Sequence, residues 1–216
     1  MTRLLTLPAA LAALAVANAA GAAELAPAGK KLADYLDGLQ VERLWLPGRY
    51  VHWEDGKASD RPIKGAGRQT HCSAFVAAAC ARAGVYILRP PEHPQIRLAN
   101  AQADWLAGQG EKHGWRPVAG AWEAQKYAND GELVVAVYKE KRTKVLDGKV
   151  VQRPGHVALV RPSDRDRAGV EKDGPQVIQA GATNANSTTL RAGFRHHPDA
   201  WGKGEVRFYR HEVRWK

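Results

Sequence analysis

Cysteine occurs only twice in the 216 residues, at Cys72 and Cys80. So sparse a supply excludes a fold stapled by several disulfides. No Gly-x-Gly-x-x-Gly or P-loop signature is present, so nothing announces a dinucleotide or nucleoside-triphosphate site. The histidines offer no zinc pattern either. His52, His93 and His113 stand in turn-rich stretches without cysteine or carboxylate partners at ligand spacing, and His196 and His197 are adjacent. No metal or cofactor is expected. Beyond the first two dozen residues no apolar run is long enough to span a bilayer, so an integral membrane protein is not expected. There is no block of five lysines and arginines, no internal repeat, and no low-complexity tract after the alanine-rich start.

Positive charge is in excess. The formal net charge is +10 and the sequence pI is about 9.8, which favours anionic partners: nucleic acid, an anionic membrane surface or an acidic cell-wall polymer. The N-terminus narrows the choice. Arg3 precedes an apolar run over residues 4–17, and Ala17-Asn18-Ala19 and Gly21-Ala22-Ala23 offer small-residue cleavage sites. Residues 1–23 therefore read as a signal peptide, and the chain as exported, periplasmic or secreted. Export makes nucleic acid the weakest partner. The basic residues are scattered, so much of the charge belongs to a solvated face. Residues 24–216 suit one domain with a sizeable core and an insertion around 85–130.

The chain is organised around residues 65–84, where a glycine-rich loop with Gly65 and Gly67 runs into a short helix. Phe75, Val76, Ala79, Cys80 and Ala83 recur at helical spacing and predict one buried face. Thr70 is the expected N-cap, and Gly84 stands where a terminating glycine belongs. Cys72 then lies at the amino end of the helix, where unpaired N–H groups and the macrodipole favour a thiolate. Cys80, mid-helix, reads as core. Eight residues of helix separate the two cysteines by about 12 Å, and a disulfide needs less than about 7 Å. Both are expected to be free thiols.

Around this stretch, residues 25–45 suit an amphipathic helix, and residues 46–69 a long loop. Residues 100–106 and 119–127 read as short helices. Then the character turns to β: residues 131–138, a hairpin at 145–151 around Asp147-Gly148, residues 155–160 and 176–179, and a closing strand within 204–215. Residues 163–175 are charged and read as mobile. Helices followed by antiparallel strands imply an α+β domain.

A cysteine nucleophile needs a base, and the base needs an orienting group. His156 opens a strand directly after Pro154-Gly155, with small Ala158 beside it on the same face. Gln179 ends the next strand, where its carboxamide is expected to accept from the Nδ1–H of His156. His71, although next to Cys72, is expected to point away from it.

Thr70-His-Cys-Ser-Ala-Phe-Val76 resembles the Asp-Cys-Ser-Gly-Phe-Val nucleophile motif of the NlpC/P60 cysteine peptidases. Gly131-Glu-Leu-Val, Gly155-His-Val-Ala-Leu-Val and Val177-Ile-Gln-Ala resemble that family's later strands, in the same order, over residues 65–182. The related CHAP amidases share the cysteine-then-histidine order. The resemblance implies a papain-like α+β fold, with the nucleophile helix packed on an antiparallel sheet. It also implies an endopeptidase or amidase that cuts peptide stems of peptidoglycan. Cys72 is then the nucleophile, His156 the base and Gln179 the orienter. Gly48-Arg-Tyr-Val-His-Trp53 is similar to a family segment whose tyrosine lines the active site, which makes Tyr50 a substrate-binding candidate. His71 stands where the family has aspartate, Ala74 where it has glycine, and Gln179 where histidine is commoner. Two other functions fit the same residues: a non-catalytic basic module binding the cell wall, and a thiol acyl hydrolase or transferase acting on another lipid or protein amide.

Overall fold

The computed structural model describes residues 24–61, 69–146 and 148–215. The leader at 1–23, Gly65 and Gly67 of the glycine-rich loop, and the turn residue Asp147 lie outside these. Helix α1 (Pro27–Gly38) starts at a proline, whose fixed φ and missing N–H suit a first turn, and buries Leu32 and Leu36. It is shorter than the 25–45 expected. The chain leaves it through Gln40 and Trp45, both at positive φ, and Trp45 is fully buried with its indole N–H on the Trp53 carbonyl.

Helix α2 (Cys72–Arg82) is buried at every position from Cys72 to Cys80, rather than along one face. Its alanines present little bulk, so neighbouring elements can approach from all sides, as a helix apolar all round requires. Phe75 is fully buried and meets Trp45 edge-on, with 5.3 Å between ring centroids. Thr70 is not the cap. His71 occupies that position without a side-chain bond to the helix, which makes Cys72 the first helical residue. At the other end Gly84 adopts φ +75°, the left-handed conformation read from the sequence.

Helix α3 (Leu98–Gly108), strand β1 (Arg116–Val118) and helix α4 (Ala121–Asn129) follow, and then β2 (Leu133–Tyr138). A hairpin of β3 (Thr143–Leu146) and β4 (Lys149–Gln152) leads into β5 (His156–Val160). Residues 163–175 are ordered by helix α5 (Arg167–Asp173), contrary to the expectation of a mobile stretch. Asp166 caps it, its carboxylate accepting from the Gly169 N–H at 2.8 Å. Strands β6 (Gln176–Gln179) and β7 (Ala185–Thr189) lead to the short helices α6 (Leu190–Gly193) and α7 (Pro198–Gly202), and then to β8 (Arg207–His211).

The result is a mixed α+β fold around a six-stranded sheet in the order β1-β8-β2-β5-β6-β7, every neighbouring pair antiparallel. The last strand is inserted between β1 and β2 rather than added at an edge. Strands β2 and β5 are buried at every residue, and helices α2, α3 and α4 pack against them. Helix α2 packs on β5 and β6, which aims its first residue at the ends of those strands. Among the described residues no helix is long and apolar enough to cross a membrane.

Candidate active site

Each of the three expected residues stands at the end of an element: Cys72 at the start of α2, His156 at the start of β5, and Gln179 at the end of β6. All three are almost fully buried. Nε2 of His156 lies 2.7 Å from Oε1 of Gln179, and Nε2 of Gln179 donates to the Thr183 carbonyl at 3.2 Å. The second bond fixes which end of the carboxamide faces the ring. An oxygen facing Nε2 demands a proton there, so the neutral imidazole carries its lone pair on Nδ1, available to the thiol. The nitrogen bound to Gln179 is therefore Nε2 and not the expected Nδ1. A sequence places a ring on a strand but does not say which edge turns to which neighbour.

Cys72 and His156 titrate as a pair. Burial pushes the Cys72 thiol up, but the charge of His156, a hydrogen bond from it, and the N–H groups of Val157 and Ser73 outweigh that, and its pKa falls below the ordinary thiol value. Burial works against the imidazolium as well, and the Cys72 charge, with hydrogen bonds to Cys72 and Gln179, raises its pKa instead. Each group thus stabilises the charged form of the other. Cys80 behaves in the opposite way. Burial pushes it up to about 12, and it remains an inert core thiol.

Close packing holds these groups. The site's entrance to β5 is pinned by Asn100 on α3, whose Oδ1 accepts from the Glu140 N–H at 3.1 Å and whose Nδ2 donates to the Arg153 carbonyl at 3.0 Å. A Cβ at Gly155 would meet the Tyr138 carbonyl at 2.2 Å and Asn100 Oδ1 at 2.4 Å, so only glycine lets the chain pass there into His156. A Cβ at Gly193 would come within 2.7 Å of Gln179 Oε1. His71 points away from the thiol as expected, with its Nε2 2.7 Å from the Arg49 carbonyl. That bond ties the 49–51 segment to the start of α2. Tyr50, next in the chain and half-buried, gives its carbonyl to the Ser59 N–H.

Two residues that the sequence does not single out touch the His156 ring. Phe194 meets His156 edge-on at 4.6 Å, and His197 stacks on it at 5.7 Å with 15° between the planes. Burial, then the nearby His156 charge, push His197 down to about 4. Its Nδ1 stands 3.7 Å from Oε2 of Glu140, too far for a hydrogen bond. Glu140 is itself fully buried. A two-pronged bond from Arg142 (2.6 and 2.9 Å) holds it down to about 2 despite its burial, and the Tyr138 hydroxyl donates to it at 3.3 Å. Along the sequence the adjacency of His196 and His197 shows only that they do not form a metal pattern. The available signal was a pair of ring-bearing residues, Phe194 and His197, soon after the strand that carries Gln179.

A cleft of about 490 Å³ opens beside the ring, lined by Phe194 and His197 together with Arg191, Arg195 and Trp201. The Arg195 guanidinium donates to the Thr183 hydroxyl at 3.0 Å, on the residue that also orients Gln179. A larger cleft of about 560 Å³ lies against Ala78, Ala81 and Arg82. Those residues occupy the far half of α2, about 9 Å or more along the axis from Cys72, so the larger opening is not the seat of this chemistry. Among the described residues no group of three or more His, Cys, Asp or Glu side chains is placed to hold a metal ion. Compared with protein-family models and with curated proteins, the chain matches none.

Proposed function

We propose that this chain is a cysteine hydrolase of the NlpC/P60 type, with a papain-like arrangement of its α+β fold, that cleaves amide bonds in the peptide stems of peptidoglycan. The observation that carries this reading is the polarised chain from Gln179 through Nε2 of His156 to a Cys72 thiol of lowered pKa. The order of the motifs along the sequence and the signal-like leader support the substrate class and the exported location. The net positive charge suits an anionic wall polymer.

In this mechanism Nδ1 of His156 holds the Cys72 proton, and the thiolate attacks the amide carbonyl carbon. The carbonyl π electrons move to oxygen. The Cys72 N–H, free because it belongs to the first helical residue, helps to hold the resulting oxyanion. As the intermediate collapses the C–N bond breaks, and the imidazolium gives its proton to the departing amine. Water, deprotonated by the same Nδ1, then attacks the thioester and returns the thiolate as leaving group. Gln179 keeps the ring in one orientation through both proton transfers. Tyr50 is the proposed contact on the substrate side.

Purified peptidoglycan digested by the wild type and by Cys72→Ala, with products identified by mass spectrometry, tests the reading. New stem-peptide fragments from the wild type alone are expected. Absence of fragments from both, with Cys72 alkylating rapidly at neutral pH, would move the activity to another acyl substrate. Absence of fragments with a sluggish thiol would favour the binding module.

A further inference from the structure

We propose that the hairpin of β3 and β4 is a docking surface for an anionic phospholipid bilayer. The described residues expose four large apolar side chains, and three stand on this hairpin: Val145 at 71%, Leu146 at 50% and Val150 at 72%. The register pairs Val145 with Val150 and Thr143 with Gln152, so these four share one face, which carries no charge. The other face holds Lys144, Leu146, Lys149 and Val151. The two strands pair only with each other, separate from the six-stranded sheet. An isolated ribbon of this kind is marginal in water unless something covers it.

Charge selects the partner. Residues 139–153 hold six basic side chains against two acidic ones, a net +4 within a chain of +10. That share is larger than the length of the stretch alone would give. Among the described residues Lys144, Lys149 and Arg153 have no carboxylate partner, while Lys139, Lys141 and Arg142 are paired to Asp104, Glu205 and Glu140. An acidic polymer would answer the lysines but leave Val145 and Val150 in water. The boundary of an anionic bilayer takes both: valines below the phosphate level, ammonium groups at it. The hairpin runs through Arg153-Pro154-Gly155 directly into His156. Docking would hold the His156 ring within a few residues of the membrane surface. This inference does not depend on the hydrolase reading.

The test uses the full chain carrying Cys72→Ser and Val150→Cys, labelled at the introduced thiol with an environment-sensitive fluorophore; Cys80 is buried. Vesicles of phosphatidylcholine with roughly one-third phosphatidylglycerol should give a blue shift that high salt reverses, and pure phosphatidylcholine vesicles should give none. A label at Ile96→Cys should stay unshifted. In flotation with the same vesicles, Val145→Thr/Val150→Thr, which keeps strand propensity, should lower binding about tenfold. Lys144→Glu/Lys149→Glu should do so as well. All forms share the same N-terminal residues, so differences among them report the hairpin. The proposal is overturned by an unshifted Val150→Cys label, by equal shifts at both labels, or by double variants that bind as the wild type. Hairpin-dependent capture of peptidoglycan or of an acidic protein, with vesicles ignored, also overturns it.

Discussion

The imidazoles of His156 and His197 lie nearly parallel, the first with its pKa raised by the Cys72 charge against its burial and the second with its pKa lowered by burial. A neutral ring is a tolerable floor for an imidazolium, whereas a second cation there would repel it. The pair therefore has a pH signature. The folded-state pKa of His197 is depressed, so between about 6.5 and about 4 the unfolded chain binds a proton that the folded chain refuses. Stability should be complete above about pH 6.5 and fall with acidification by about 3 kcal/mol at most, the full loss being reached below about pH 4. His197→Phe keeps a ring in place and removes the proton. Urea melts from pH 7 to pH 4 should show a shallower slope in that variant. An unchanged slope would mean that another group controls acid unfolding.

Thiol chemistry should separate the two cysteines. Alkylation of the native protein should proceed at Cys72 well below the pH at which ordinary thiols react, and leave Cys80 unmodified. In His156→Ala, Cys72 retains its burial and loses its chief anion-stabilising neighbour. Its reaction rate at pH 6.5 should then drop at least about tenfold, one pKa unit or more of lost thiolate. Equal rates in the two proteins would dissolve the proposed pair.

Gln179→Ala should preserve the thiolate in large part and lower kcat by about 10²-fold, the lower range for a general base that is present but unaimed. KM should change little, since Gln179 faces the ring and Thr183 rather than the cleft. Gly193→Ala should reproduce part of this loss without altering any catalytic atom, because its methyl would displace Oε1. Steady-state kinetics on a stem-peptide substrate decides. A Gln179→Ala effect confined to KM would recast the residue as a substrate contact.

Asn100 closes two backbone groups at once, the Glu140 N–H and the Arg153 carbonyl. Asn100→Ala should cost about 2 kcal/mol through the unpaired buried groups it leaves behind. Amide exchange should quicken locally, at residues 140, 153, 155 and 156, before it does in β2. Uniform exchange across the sheet would show the clamp to be global rather than local.

The α2–β5–β6 framework was legible because each of its signals is local. Gly84 stops a helix by its own φ, and an unbroken Val-Ala-Leu-Val run reads as a central strand wherever it packs. Thr70 has the preferred residue type for a cap, but capping depends on the backbone angle at His71, which residue preferences do not encode. Asp166, with Gly169 three residues on, carried a genuine capping signal that the surrounding charges obscured. His197 was beyond reach for a different reason. Its role depends on the link between α6 and α7 coming back against the start of β5, and no spacing along the chain reports a contact made across 41 residues.

The position of β8 has a consequence for synthesis. Residues 207–211 fill the slot between β1 and β2, and β2 is the strand against which β5 and its histidine are registered. A partly synthesised chain lacks that filler and leaves the hydrogen-bonding edge of β2 open. Pairings that span so much of the sequence also close slowly. The Cys72 thiol is thus made well before the strand that closes the sheet behind His156.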